Sequence, residues 1–211
     1  MKLPAFYPVL DADRFPAVPA AEVLLSTGAR ILQFRHKSFF SRQAFEDATC
    51  IADMCRSAGA LLVVNDRADV AALLNAGLHV GQDDISPGDA RRILPAASIL
   101  GFSTHNEQQL SAGDLEPVDY LAVGPIFATG SKQNPDPVVG LDLLRKLRSL
   151  TQKPLVAIGG ITRELAPKVF EAGADSIAVI GDLFPDVRAR AEEWMAISAR
   201  VGVRDAAKSP E

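Results

Sequence analysis

The sequence predicts a single-domain (β/α)8 barrel, and three observations carry that reading. Short β-like runs alternate with helical stretches eight times along the chain. Several helical stretches end in glycine just before the next run, where a left-handed cap is wanted. The whole repeat also fits into about 200 residues, the lower size for such a barrel. Strand–helix alternation of this kind implies parallel strands joined by right-handed crossovers. A doubly wound open sheet is the other arrangement that the same units permit.

The units follow in order. Phe6-Tyr7-Pro8-Val9-Leu10 is the first run, with a helical stretch from Pro19 to Thr27. Ala29 to Phe34 is the second; Ser41 then serves as N-cap of a helix from Arg42 to Ala58, ended by Gly59. Leu61 to Asn65 pairs with Asp69 to Ala76, for which Gly77 is the stop. Leu78 to Gly81 pairs with Pro87 to Leu94, where Ser86-Pro87 supplies an N-cap and a proline at N1. The fifth unit joins Ser98 to Phe102 with Asn106 to Ala112, and the sixth joins Tyr120 to Val123 with Leu141 to Leu150. Leu155 to Ile158 leads into Arg163 to Ala172, with Thr162 as N-cap and Gly173 as the stop. Ser176 to Ile180 and Val187 to Ala199 complete the set. The barrel is expected to occupy 1–203, and 204–211 to be a disordered polar tail.

Composition narrows the class of partner. Of 211 residues, 48% are hydrophobic and 23% charged, ordinary values for a globular chain. A chain of this size buries about 70% of its unfolded surface, enough for a core without staples. Lys plus Arg number 22 against 26 Asp plus Glu, a net charge of −4 that argues against nucleic-acid binding. Nothing approaches 18 consecutive apolar residues, so no membrane span is expected. Pro4, Pro8 and Asp11 interrupt the N-terminal apolar stretch, so no signal peptide is read there. Cys50 and Cys55 lie about 140° apart around one helix and are expected to stay free thiols, in keeping with a cytoplasmic setting. Nothing in the sequence fixes the oligomeric state; a homo-oligomer stays open.

In such a barrel the active site forms where the strands' C-terminal ends meet, and unusual polar residues collect there. Gln33, Arg35 and Lys37 alternate with Phe34 and His36, so all three share one face. Two cations and an amide suit a di-anion or pyrophosphate, a solvated strand end being the plainer alternative. The third run ends in Asn65-Asp66 and the fourth in Gly81-Gln82-Asp83-Asp84. Each Asp alone could merely cap a helix, but two carboxylates from neighbouring strand ends suit Mg2+, which also takes phosphate oxygens and water.

The remaining strand ends continue the pattern. Ser103 puts a hydroxyl at the rim, while His105 reads as part of the next helix's start. The long segment from Gly124 to Gly140 carries Thr129, Ser131 and Lys132; it reads as a lid or as an ordinary exposed loop. Glycines after the last two strands, at Gly159-Gly160 and Gly181, let backbone N–H groups approach a phosphate, or simply form tight turns. Together these residues describe two anion sites, one cationic and Mg2+-assisted, the other mostly backbone.

These motifs carry a resemblance. Gln33-Phe34-Arg35-His36-Lys37, Val64-Asn65-Asp66-Arg67, His79-Val80-Gly81-Gln82-Asp83-Asp84 and Gly101-Phe102-Ser103-Thr104-His105 stand in the order seen in thiamine-phosphate synthases. Gly124-Pro125-Ile126-Phe127, Thr129 to Lys132 and Ala157-Ile158-Gly159-Gly160-Ile161 continue it, so the resemblance covers roughly residues 5 to 185. That family has a (β/α)8 barrel and joins 4-amino-2-methyl-5-hydroxymethylpyrimidine diphosphate to 4-methyl-5-(2-hydroxyethyl)thiazole phosphate. The resemblance implies that Asp66 and Asp84 hold Mg2+ on the diphosphate. It implies further that Gln33, Arg35, Lys37, Asn65 and Lys132 contact the pyrimidine diphosphate, with Ser103 near the pyrimidine. The resemblance also makes Arg35, Lys37, Ser103 and Lys132 the expected catalytic set, and Thr129, Ser131, Gly160, Ile180 and Gly181 match thiazole-phosphate positions.

Three positions depart from the family pattern. His36 stands where an acidic residue is usual, which adds a basic group beside the diphosphate residues. Ser131 replaces a threonine and keeps the hydroxyl, whereas Gly181 replaces a serine and loses a donor. Two rival functions exist. A thiazole tautomerase would share the barrel, but its members carry a histidine near the sixth strand end, where this chain has Gly124-Pro125. A non-catalytic protein binding thiamine-related phosphates would bind without releasing pyrophosphate.

Overall fold

The computed structural model describes residues 2–130 and 136–206, with side chains described through residue 201. Among the described residues, eight strands alternate with eight helices. The strands are β1 (Phe6–Asp11), β2 (Ile31–Arg35), β3 (Leu61–Asn65), β4 (Gly77–Val80), β5 (Leu100–Thr104), β6 (Tyr120–Val123), β7 (Leu155–Ile158) and β8 (Ser176–Val179). The helices are α1 (Ala17–Ser26), α2 (Arg42–Ala58), α3 (Ala68–Leu74), α4 (Pro87–Ile93), α5 (Glu107–Asp114), α6 (Gly140–Arg148), α7 (Ala166–Glu171) and α8 (Val187–Ala206). A 3-10 turn, Gly181–Leu183, precedes α8. Each strand runs parallel to its neighbours, and β1 pairs with β8 as well as β2, which closes the barrel and excludes the open sheet.

Alternation along the strands separates two cores. Tyr7, Val9, Ile31, Val63, Tyr120, Ala122, Val156 and Ala178 point inward and pack with one another. Their neighbours Phe6, Leu10, Leu32, Phe34, Val64, Leu78, Leu121 and Val179 point outward under the helices. A period of two in side-chain direction makes one short strand serve both cores. Over the closing seam, Trp194 of α8 is fully buried and stacks on Phe6 of β1, with ring centroids 5.6 Å apart.

Most local signals act as read. Ser41 accepts a hydrogen bond from the Ala44 N–H, and Ser86 from the Asp89 N–H with Pro87 in the first turn. Gly59 ends α2 at a φ of 62°. Cys50 and Cys55 are both free thiols. Two expectations are corrected. Thr162 caps nothing with its side chain: its carbonyl takes the Leu165 and Ala166 N–H groups in a turn, and α7 starts only at Ala166. The stop of α3 is Asn75, whose φ is 52°, and not Gly77. Gly77 instead opens β4, where a Cβ would lie 2.6 Å from the Ile99 side chain.

The backbone of α8 continues to Ala206, so 204–206 of the expected tail belong to that helix. The rest of the tail lies outside the described residues. Among the described residues, no helix is long and apolar enough to cross a membrane.

Candidate active site

The first four strand ends bring charge together. β2 presents Gln33 inside the barrel, and Arg35 and Lys37 follow on the same face. The Arg35 guanidinium donates to Asp11 at 2.7 Å. Asp11 closes β1, is 1% exposed, and leaves its other carboxylate oxygen without a protein partner. The Lys37 ammonium pairs with Asp66. Asp66 holds a left-handed φ of 63°, and its N–H is tied to the His79 carbonyl at 2.8 Å. Asp84 bends back so that its carboxylate accepts the Gly81 N–H at 2.7 Å.

Electrostatics single out Asp66. Burial, with the Asp84 carboxylate adding to it, pushes its carboxyl up to about 6 against the opposing pull of Lys37. Two crowded carboxylates make a hard-oxygen site that a divalent cation would relieve. Asn65 lies beside them with its buried amide NH2 lacking a partner, a donor suited to a ligand oxygen. Among the described residues, no group of three or more His, Cys, Asp or Glu side chains forms a closed metal cage. Two carboxylates with room for substrate oxygens and water is how Mg2+ is often held.

His36 turns away from this cluster. Its ring packs against Phe34 and Phe40 and faces Asp13, with Nε2 3.7 Å from the carboxylate. The extra basic group expected beside the diphosphate residues therefore sits on the opposite side of the strand, as period two demands.

The other half of the rim is built from backbone. Ser103 Oγ lies 2.8 Å from His79 Nε2, and the Ser103 carbonyl accepts from the Gln82 amide at 2.6 Å. His105 bonds the Gly124 carbonyl at 2.6 Å and so serves the β5–β6 junction. After β6 the chain lies over the end of β7: the N–H groups of Ile126 and Phe127 donate to the carbonyls of Ile158 and Gly159. Gly160 has a φ of 65°, and a Cβ there would be 2.5 Å from the Ala128 carbonyl oxygen. The Gly159-Gly160 pair thus admits another stretch of backbone, a reason that phosphate approach alone did not supply. Thr129 is half-buried on this loop; Ser131 and Lys132 lie outside the described residues. Ile180 packs on the inner core, and Gly181 opens the 3-10 turn. The next residue, Asp182, accepts from Trp194 Nε1 at 2.9 Å and pairs with Arg163 at 3.1 Å, which pins that turn.

Comparison with known proteins places this arrangement. Residues 6–183 match the TMP-TENI family, described as thiamine monophosphate synthase. The chain belongs to the thiamine-phosphate synthase family. It is 49% identical over 205 residues to the thiamine-phosphate synthase of Koribacter versatilis, covering 93% of this chain and 97% of the relative. The synthase of Chloroflexus aurantiacus is 42% identical over 179 residues, with 83% and 82% covered. Among solved structures, a thiamine phosphate pyrophosphorylase from Pyrococcus furiosus superposes with a TM-score of 0.85 at 32% identity, covering 94% of this chain and 96% of that one. A 3-hexulose-6-phosphate synthase, at 15% identity and a TM-score of 0.63 over 93% of this chain and 99% of its own, shares the fold alone.

The activity of this synthase is that of a transferase. Sequence reasoning brought Gln33, Arg35, Lys37, Asn65, Asp66, Asp84 and Ser103 to one end of the barrel, and the structure gathers them there. It missed Asp11, the partner of Arg35, because the first run was ended at Leu10; an acid directly after an apolar run was the available signal. It also missed Tyr7, Tyr120 and the His79 side chain, which lie inside the barrel beneath the rim.

Proposed function

We propose that the barrel joins 4-amino-2-methyl-5-hydroxymethylpyrimidine diphosphate to 4-methyl-5-(2-hydroxyethyl)thiazole phosphate. The products are thiamine phosphate and pyrophosphate. The single observation that carries this reading is the meeting of Arg35, Lys37, Asn65, Asp66 and Asp84 at one rim, in a chain of this family. The thiazole nitrogen supplies the electron pair for the new C–N bond, and pyrophosphate leaves with the electrons of the broken C–O bond. An electron-rich aminopyrimidine makes a carbocation-like carbon reasonable, so no covalent enzyme intermediate is needed.

The protein's work is then positioning and charge. Arg35, oriented by Asp11, and Lys37 face the departing polyanion, with Lys132 as a third cation by resemblance. The orphaned Asn65 amide suits a diphosphate oxygen. Asp66 and Asp84 would hold Mg2+, which when bound neutralises charge on the leaving group. Gln33 and Ser103 hold the pyrimidine, while Thr129, Ser131, Gly160, Ile180 and Gly181 receive the thiazole phosphate. The chemistry also requires that water be kept from the reactive carbon. The free thiols of Cys50 and Cys55 support a cytoplasmic setting.

The test mixes purified protein, Mg2+ and both substrates and follows thiamine phosphate and pyrophosphate together. Stoichiometric appearance of both, abolished by EDTA, is expected; binding without either product would overturn the reading in favour of a non-catalytic binder. Asp84→Ala should lower turnover by about a hundredfold or more while the circular dichroism spectrum is retained. Near-parental turnover would remove Asp84 from the metal site.

A further inference from the structure

Five polar side chains cross the upper barrel interior in one hydrogen-bonded file. Gln33 Nε2 donates to the Tyr7 hydroxyl at 3.1 Å, and the hydroxyls of Tyr7 and Tyr120 are 3.0 Å apart. The Tyr120 hydroxyl lies 3.0 Å from His79 Nδ1, and His79 Nε2 lies 2.8 Å from Ser103 Oγ. The residues come from β2, β1, β6, β4 and β5. Gly101 makes the file possible. It sits between His79 and Tyr120 in register, and a Cβ there would fall 2.0 Å from the Tyr120 ring. With that space open, the Tyr120 and His79 rings stack at 5.6 Å.

Each hydroxyl has one proton, so the file has a direction. The Gln33 amide donates at one end, which makes the Tyr7 oxygen an acceptor. Both phenols are fully buried, and the only acceptor shown for the Tyr7 proton among the described residues is the Tyr120 oxygen. The Tyr120 proton then belongs to His79 Nδ1, and the imidazole proton sits on Nε2, aimed at Ser103. A proton on Nδ1, in the other tautomer or in the imidazolium, would turn Tyr120 toward Tyr7 and strand the Tyr7 proton in the interior. A buried donor without a partner is disfavoured.

We propose that Tyr7 and Tyr120 are positioning residues that hold His79 as the neutral Nε2–H tautomer. Ser103 Oγ thereby accepts from His79 and presents its own proton to the barrel mouth. There it is a donor suited to an acceptor atom of the ligand, such as a pyrimidine ring nitrogen. The catalytic half of this inference rests on the synthase reading; the tautomer does not.

Long-range 15N–1H spectra of the substrate-free, histidine-labelled protein test the tautomer, with His36→Gln and His105→Gln variants used for assignment. A pyrrole-type shift at Nε2 and a pyridine-type shift at Nδ1 of His79 are expected. The reverse pattern, or two pyrrole-type nitrogens, would overturn the proposal from the parent protein alone. In Gln33→Glu the carboxylate can only accept, so the file should reverse and the proton move to Nδ1; an unmoved proton counts against the relay. Tyr120→Phe keeps the ring and removes the hydroxyl that faces His79 Nδ1. Its kcat should fall about three- to tenfold, with the thiazole-phosphate KM unchanged and the His79 shifts averaged between tautomers. Averaged shifts with a parental kcat would overturn the catalytic half while leaving the synthase reading intact.

Discussion

Asp66 carries two unfavourable features in one residue. Its φ of 63° is uncommon for a side chain with a Cβ, and its carboxyl is raised from 3.8 to about 6, chiefly by burial. Strain and misplaced charge of this kind persist where function needs them. A raised native pKa means that the folded protein keeps a proton which the unfolded chain has already released. Below about pH 4 the two states bind it alike. Between about pH 4 and pH 6 stability falls as pH rises, and above that range the whole loss is present. With EDTA present, the urea midpoint should drop between about pH 4.5 and about pH 6.5, and drop less in Asp66→Asn. Equal drops would show that Asp66 is not the source. Gly181 gives a prediction of opposite sign. It opens a right-handed 3-10 turn, so a serine fits its backbone, and Gly181→Ser should lower the KM for the thiazole phosphate. A KM unchanged or raised would show that backbone already serves that anion fully.

At the scale of elements, the β6 loop and the end of β7 form one unit. Loop N–H groups donate to the Ile158 and Gly159 carbonyls, and Val139 and Gly140 return to bond the carbonyls of Pro125 and Ile126. Gly160→Ala should therefore destabilise the protein by about 1–3 kcal/mol in urea unfolding, from left-handed strain and the clash with Ala128. A change under about 0.5 kcal/mol would mean that the loop yields freely. Element positions were legible because their signals are local: alternating apolar runs, Ser41 and Ser86 before helices, Gly59 and Gly173 after them. The misread stop at Gly77 shows the limit. Asn also adopts a left-handed cap, and only the Ile99 side chain across the sheet reveals what the glycine is for. The Gln33-to-Ser103 file was illegible for the same reason. Tyr7, His79 and Tyr120 look like barrel filling until register sets His79 opposite Gly101, and Gly101 opposite Tyr120.

The whole molecule depends on the seam between its first and last strands. β8 pairs with β1, and α8 covers the join with Trp194 on Phe6. Trp194→Ala should cost about 3–5 kcal/mol in urea unfolding, since it opens a cavity and removes the donor to Asp182. A loss below about 1 kcal/mol would mean that strand pairing closes the barrel unaided. The polar file inside the barrel bears on a different question, whether the fold can be divided. Cut between β4 and β5, the chain yields two four-strand halves of nearly equal plan. The first would keep Gln33, Tyr7 and His79, and the second Tyr120 and Ser103. Tyr120 is the link between Tyr7 and His79, so neither half could satisfy its own interior. The two pieces would be obligate partners, each carrying half of a single polar lock, rather than autonomous half-barrels.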